Sequence, residues 1–150
     1  MLLDIAKTAD VSVPPAQAWS LIGNIPRLSA CIPGVSDIRE LEPNRRYAAT
    51  VTDKLGPFRV SLPVEITIQA LEEPSRLAAE LTGNDGRGQA RVKGTVEALL
   101  QPAGNGAALS LTAHLEVLGK LAALGATPMR RRADDIFAEF VRRLSQELGE

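Results

Sequence analysis

Hydrophobic and polar residues trade places at every second position through most of the middle of this chain. Phe58, Val60, Leu62, Val64, Ile66 and Ile68 alternate with Arg59, Ser61, Pro63, Glu65, Thr67 and Gln69. Ala90, Val92, Gly94, Val96 and Ala98 alternate with Gln89, Arg91, Lys93, Thr95 and Glu97, and Leu109, Leu111, Ala113, Leu115 and Val117 with Ser110, Thr112, His114 and Glu116. A period of two sends the two sets to opposite faces of a strand, and a clean apolar and polar division belongs to an antiparallel sheet that is packed on one side and wet on the other. Turn-forming stretches punctuate these runs: EPNR at 42–45, GP at 56–57, EEPS at 72–75, GNDGRG at 83–88 and PAGNG at 102–106. The pattern predicts a meander of six strands from Val35 onward.

The two ends read differently. LDIAKTADVSV, residues 3–13, alternates imperfectly, with Leu3, Ile5, Lys7, Ala9, Val11 and Val13 in one phase, and predicts a first strand. PPAQAWSLIG then sets Trp19 and Ile22 at helical spacing, and NIPRLSACIPG repeats the pattern with Ile25, Leu28 and Ile32, so two short helices are expected, each ended by Gly or Pro. From about Gly119 to Leu148 a stripe of Met129, Ala133, Ile136, Phe137, Phe140, Leu144 and Leu148 marks a long amphipathic helix. Arg131, Asp135, Glu139, Arg143 and Glu147 form its wet face, mostly in pairs of opposite charge. Thr127-Pro128 has the chemistry of an N-cap and first helical position, so a short helix is expected before it. Together these elements predict an α+β domain: a curved seven-stranded antiparallel sheet wrapped around a long C-terminal helix, with two short helices after the first strand. Its inward phase carries Ala49, Ala79, Ala90, Gly94, Ala98 and Ala113, and one helix closing over residues that small leaves space beneath it.

Composition narrows the partners. The 150 residues suit a single domain spanning 1–150, and aromatic residues make up only 3%. Seventeen basic and 18 acidic residues leave a net charge of -1, so no global field draws nucleic acid. The start MLLDIAKTAD lacks the basic opening and long apolar run of a signal peptide, and no stretch approaches the ~18 apolar residues of a membrane span. A cytoplasmic protein is expected, with membrane contact at most transient. Arg130, Arg131, Arg132, Arg142 and Arg143 offer only a shallow electrostatic contact, offset by Asp134, Asp135, Glu139 and Glu147.

Candidate chemistry is sparse. Cys31, the only cysteine, lies in SACIPGVSDI with Arg27 as its one nearby cation, while the sole histidine, His114, falls on the polar phase of its strand. A nucleophilic thiolate needs a base or cation beside it, so Cys31 reads as a small apolar residue in a helix-to-strand hinge. One His and one Cys far apart do not make a metal site, and none is expected. GNDGRGQ lacks the lysine and hydroxyl pair of a phosphate loop and reads as a hairpin. Asp53 shares the phase of Tyr47, Ala49, Val51 and Leu55. It is either a polar group facing the cavity or, as usual for Asp, a solvated carboxylate at the strand end beside Gly56-Pro57. Tyr47 is either a polar handle in the cavity or a core ring with its hydroxyl at the surface. The arginines at 130–132 are either a dock for an acidic partner or lipid head groups or, as is more usual, a solvated helix start paired with Asp134 and Asp135.

The runs VPPAQAWSLIGNIPRLSACIPGVSDIRELEPNRRYAATVTDKLGPFRVSL, LTGNDGRGQARVKGTVEALL and LEVLGKLAALG resemble the carbon monoxide dehydrogenase G-subunit family, within the START-like or SRPBCC helix-grip superfamily. Trp19, ACIPG at 30–34, LGP at 55–57 and GKLAALG at 119–125 carry the resemblance most specifically. It implies a cavity protein whose ligands are apolar or amphipathic and which serves a molybdenum-containing CO dehydrogenase-like hydroxylase, with membrane recruitment and carriage of a quinone among the roles proposed for the family. Some members continue past the last helix into a tail implicated in membrane attachment, whereas this sequence stops at Glu150 and is expected to lack an anchor of its own. Pro128 stands where helix interior is expected. The leading expectation is a non-catalytic accessory protein with no covalently bound cofactor, holding a quinone- or lipid-like molecule against Trp19, Tyr47, Leu62, Val64, Ala90, Val92, Leu111, Ile136, Phe137 and Phe140. The alternatives are a polyketide cyclase- or aromatase-like enzyme using the same cavity, with Asp53 and Tyr47 as its polar groups, and a pure protein-interaction component whose cavity is vestigial.

Overall fold

The computed structural model describes residues 1–149. Strand β1 (Leu2–Val11) leads into helices α1 (Pro15–Ile22) and α2 (Ile25–Ala30). The meander then runs β2 (Val35–Glu42), β3 (Arg46–Leu55), β4 (Phe58–Glu72), β5 (Arg76–Asn84), β6 (Arg91–Ala103) and β7 (Gly106–Leu118). A 3-10 turn at Lys120–Leu124 precedes the final helix, α3 (Ala126–Glu147). The seven strands form one antiparallel sheet in the order β1-β7-β6-β5-β4-β3-β2, so β1 and β2 are its edges.

Register fixes which side chains face α3. Directly paired residues share a face, and Ile5, Ala113, Val96, Ala79 and Ile68 form one inward row across β1, β7, β6, β5 and β4. Leu3, Leu115, Gly94, Leu81, Ile66 and Tyr47 form the next. The outer face stays wet and is stitched by cross-strand charges, such as Arg46 to Glu65 at 2.6 Å and Arg76 to Glu97 at 2.8 Å. Gly94 is required where it stands: a Cβ there would collide with the backbone oxygen of His114 on β7, so its absence lets the two strands close up as the sheet bends.

Two boundaries differ from the sequence reading. The final helix starts at Ala126, capped by Gly125 with φ of 84°, rather than at Thr127-Pro128. Pro128 is accommodated because the N–H groups of a first turn have no helical partner to lose. The first strand ends at Val11, two residues before Val13, because Pro14 already caps α1 in extended geometry.

The core is divided. One cluster gathers α1, α2 and the C-terminal half of α3 over one end of the sheet, with Trp19, Leu21, Ile22, Tyr47, Leu109, Phe140 and Leu144 buried in it. The other closes the opposite end, where Val60, Leu62, Ala90, Val117 and Leu121 are buried and Met129 packs from the start of α3. Ala49, Ala79 and Ala113 are buried on the inward face but belong to neither cluster.

Candidate functional site

The stretch between the two clusters is where a core would normally be densest, yet its inward side chains are the less buried ones. Leu81 and Val96 on the central strands β5 and β6 and Ile136 on the facing helix are half-buried and belong to neither cluster, and Ile66, Ile68, Leu111 and Phe137 at the margin of the first and Leu115 at the margin of the second are half-buried too. The floor between them is made of Ala49, Ala79, Ala113 and the side-chain-free Gly94. The backbone of α3 comes closest to β1 and β3, so small and half-buried side chains are what face it over the middle of the sheet.

Charge holds the helix over it. Lys7 and Asp53 are on the inward phase of β1 and β3, where an unpaired charge would be costly. Each finds a partner on α3. Lys7 Nζ reaches Asp134 Oδ1. Arg132 Nε donates to Asp53 Oδ2 at 2.8 Å, and its Nη2 to Oδ1 at 2.9 Å, a two-pronged pair. Residues 132 and 134 point to opposite sides of a helix, since two steps turn it by about 200°. The N-terminal half of α3 is therefore strapped to both flanks by ion pairs, while its C-terminal half is anchored by buried Phe140 and Leu144. A cleft of about 270 Å³ opens where α3 passes β1, lined by Ile5, Lys7, Arg130, Ala133 and Asp134 among others.

The structure distributes the ten expected lining residues instead of gathering them. Trp19, Tyr47 and Phe140 are buried in the first cluster, with Leu111 and Phe137 packed on it; the Phe137 and Phe140 rings lie 6.1 Å apart. Leu62 and Ala90 are buried in the second, with Val64 and Val92 against it. Only Ile136 stands between the two. Trp19 is held by its own helix end, since Gly23 leaves the space its indole fills. Tyr47 is a core ring whose hydroxyl donates to Glu40 Oε2 at 3.2 Å, and burial together with that carboxylate pushes its pKa up.

Asp53 is neither a free cavity carboxylate nor a solvated strand end: its side chain is 18% exposed and bound by Arg132. The sequence reading missed this because the partners are 79 residues apart and no local spacing links them. The expected pairing of the arginines at 130–132 with Asp134 and Asp135 is likewise replaced, with Arg132 going to Asp53 and Asp134 to Lys7. Lys7 was the detectable signal, a lysine on the inward phase of an otherwise apolar strand.

Cys31 and His114 are far apart in role. Cys31 caps α2, is buried, and its thiol pKa is raised chiefly by that burial and next by Glu147. It borders a second cleft, of about 180 Å³, with Arg27, Arg143 and Glu147. His114 is exposed on the outer face, with Nδ1 2.8 Å from Asp4 Oδ1. No group of three or more His, Cys, Asp or Glu among the described residues is arranged to hold a metal ion.

A long helix gripped by a curved antiparallel sheet places the chain among START-like folds, and solved structures bear this out. It superposes on a conserved protein from Geobacillus kaustophilus with a TM-score of 0.87 at 20% identity, covering 97% of this chain and 95% of that one. For a START superfamily protein from Mycobacterium smegmatis the TM-score is 0.73 at 12% identity, covering 97% and 96%. For a protein from Chromobacterium violaceum it is 0.70 at 13%, covering 98% and 97%. Residues 8–149 match the CoxG family, the G subunit of carbon monoxide dehydrogenase, and the chain belongs to it. Comparison with curated proteins found no match.

Proposed function

We propose that this protein is a non-catalytic accessory carrier that holds a hydrophobic small molecule, quinone- or lipid-like, between the sheet and α3, on behalf of a molybdenum-containing CO dehydrogenase-like hydroxylase. The ligand site rests on one observation: at the centre of the inward face Leu81, Val96 and, on α3, Ile136 are only half-buried and join neither cluster, beside the small residues Ala79, Ala113 and Gly94, while apolar clusters close both ends. The accessory role rests on family membership.

The polar inventory favours carriage over turnover. A cyclase-like enzyme needs polar groups converging on its substrate, and here the Asp53 carboxylate is engaged by Arg132 and the Tyr47 hydroxyl by Glu40. Apolar walls supply affinity by removing ligand surface from water, about 25 cal/mol per Å². The open clefts, about 270 and 180 Å³, are smaller than the roughly 300 to 1,000 Å³ of ordinary ligand pockets. Loading therefore requires the N-terminal half of α3 to rise, breaking its two ion pairs while the buried Phe140 and Leu144 act as the pivot.

Displacement of an apolar fluorescent dye by a short-chain quinone and by a fatty acid tests the reading, alongside Ala79→Leu. If Ala79 floors a hollow, the added side chain fills it: binding falls and the protein is not destabilised. A solid core would instead lose about 1–3 kcal/mol of stability to overpacking, and that loss, or failure of the wild type to bind dye, quinone and fatty acid alike, sinks the proposal. Turnover of a cyclisable substrate would replace it with the enzyme reading. Co-purification with the hydroxylase tests the partner.

A further inference from the structure

Basic residues are distributed unevenly along this nearly neutral molecule. Of its 17 lysines and arginines, eight are in ion pairs among the described residues. Of the nine that are not, only Arg39, on the edge strand β2, lies away from one end of the fold. The other eight are all exposed: Lys54 and Arg59 flank the β3–β4 turn, Arg87, Arg91 and Lys93 the β5–β6 turn, Lys120 the 3-10 turn, and Arg130 and Arg131 open α3. The antiparallel meander brings these turns together, and hydrogen bonds lock them: Lys120 N–H to Gly88 O at 3.0 Å, Leu121 N–H to Gln89 O at 2.8 Å, and the Met1 amine to Val117 O at 2.9 Å.

The acids of this end neutralise them in part: Glu116 is opposite Lys93 on the outer face and Asp135 is one turn on from Arg131. Asp53 is bound to Arg132 and Asp134 to Lys7. Asp85 accepts the backbone N–H groups of Arg87 and Gln89, which lower its pKa and turn its charge into the loop. Lys54 and Arg59 are direct cross-strand partners, a like-charge pairing that works against the fold. Two of the three large exposed apolar side chains are at the same end: Leu2, 75% exposed, and Leu118, 39% exposed, both on the outer face. Leu118 pairs across the sheet with Arg91, and Leu2 with Glu116, whose other neighbour is Lys93.

We infer that this end, centred on the outer corner of β1, β7 and β6, is a docking surface for an acidic protein, with Leu2 and Leu118 at the middle of the contact and the arginines at its border. Charge complementarity identifies the partner, and arginine points to protein: Arg59, Arg87 and Arg91 are three of the six bases on the outer face and its turns that are in no ion pair among the described residues. Arginine pairs carboxylates through two hydrogen bonds and is enriched at protein interfaces, where lysine is depleted. Contact with a bilayer draws on exposed aromatic side chains, and every aromatic residue here is buried or half-buried. The centre of the surface, Leu2 and Leu118, is on the outer face of the sheet, away from the ligand site; Arg130 and Arg131 are at the start of α3 on the other side, where Arg130 lines the cleft beside β1.

The test is a titration of the isotope-labelled 150-residue chain, followed by NMR, with a Glu-Glu-Leu repeat peptide, its Gln-Gln-Leu counterpart, and phosphatidylglycerol vesicles. The acidic peptide should shift amides around residues 54–59, 85–93 and 116–120, and the neutral one should not. R59E combined with R91E should weaken binding by about tenfold or more, and L118S should weaken it in a manner that salt does not reproduce. The fold tolerates these changes, since R59E sets a carboxylate opposite Lys54 and Leu118 is exposed, and dye binding in the hollow should be unchanged. Equal binding of both peptides, shifts elsewhere, indifference to charge reversal, or no binding at all would overturn the inference. Vesicle binding that the peptide cannot displace would assign the surface to a bilayer instead.

Discussion

Cys31 closes α2 with its side chain 1% exposed, between the arginines and glutamate that border the smaller cleft. Burial raises its pKa and Glu147 adds to the rise, while Arg143 and Arg27 pull weakly the other way. The thiol should therefore resist a disulfide reagent at pH 8 in the folded protein and react only on unfolding. Cys31→Ser, which places a hydroxyl in an apolar site, should cost about 1 kcal/mol or a little more in urea titration. Rapid labelling of the native protein would restore the nucleophile reading. Half-buried Glu139 accepts from Arg142 at 2.8 and 2.5 Å and from Arg143 at 3.0 Å. These hydrogen bonds pull its pKa from the ordinary 4.5 down to about 2. A depressed carboxylate contributes stability that is complete above its unfolded pKa and fades as pH falls through its folded one. Unfolding measured from pH 5 to pH 2 should show less acid sensitivity in Glu139→Gln than in the wild type.

At the scale of the element, α3 is held in two unlike ways. Its C-terminal half contributes buried Phe140 and Leu144, and its N-terminal half relies on half-buried Met129, Ile136 and Phe137 plus the pairs to Lys7 and Asp53. The Asp53 pair lies between the exposed and buried limits, where such pairs are worth a few tenths to several kcal/mol. Arg132→Ala should cost about 1 kcal/mol at low salt, and less as salt screens the charge that Asp53 is left with. If ligand loading depends on lifting this half of the helix, the same variant should bind an apolar dye faster than the wild type. An unchanged on-rate would separate the pairs from loading.

For the whole molecule, the divided core predicts uneven stability. The cluster around Trp19, Leu109 and Leu144 is the larger, and the one around Val60 and Leu121 is the smaller. Local opening follows the density of buried apolar contact, so hydrogen exchange should be faster at residues 129–136 of α3 than at 139–146. Uniform protection along the helix would mean that α3 packs as one unit and that the hollow is closed. No helix of the described residues is long and apolar enough to cross a membrane.

Strict alternation along β4, β6 and β7, the turn chemistry between strands and the apolar stripe of α3 were legible because each is a local period of two or 3.6 that one face of one element must satisfy. The small inward residues Ala49, Ala79, Gly94 and Ala113 were legible for the same reason. What the tertiary structure alone decided is how the inward side chains divide between two ends. Tyr47 and Leu62 share the inward phase but sit at different heights along β3 and β4, and register assigns them to opposite end walls, which Trp19 on α1 and Phe140 on α3 complete at one end and Ala90 at the other. Lys7 with Asp134, Asp53 with Arg132 and the basic end of the sheet join residues far apart in the chain. Coulomb attraction depends on distance in space, and sequence periodicity records only which face a side chain takes.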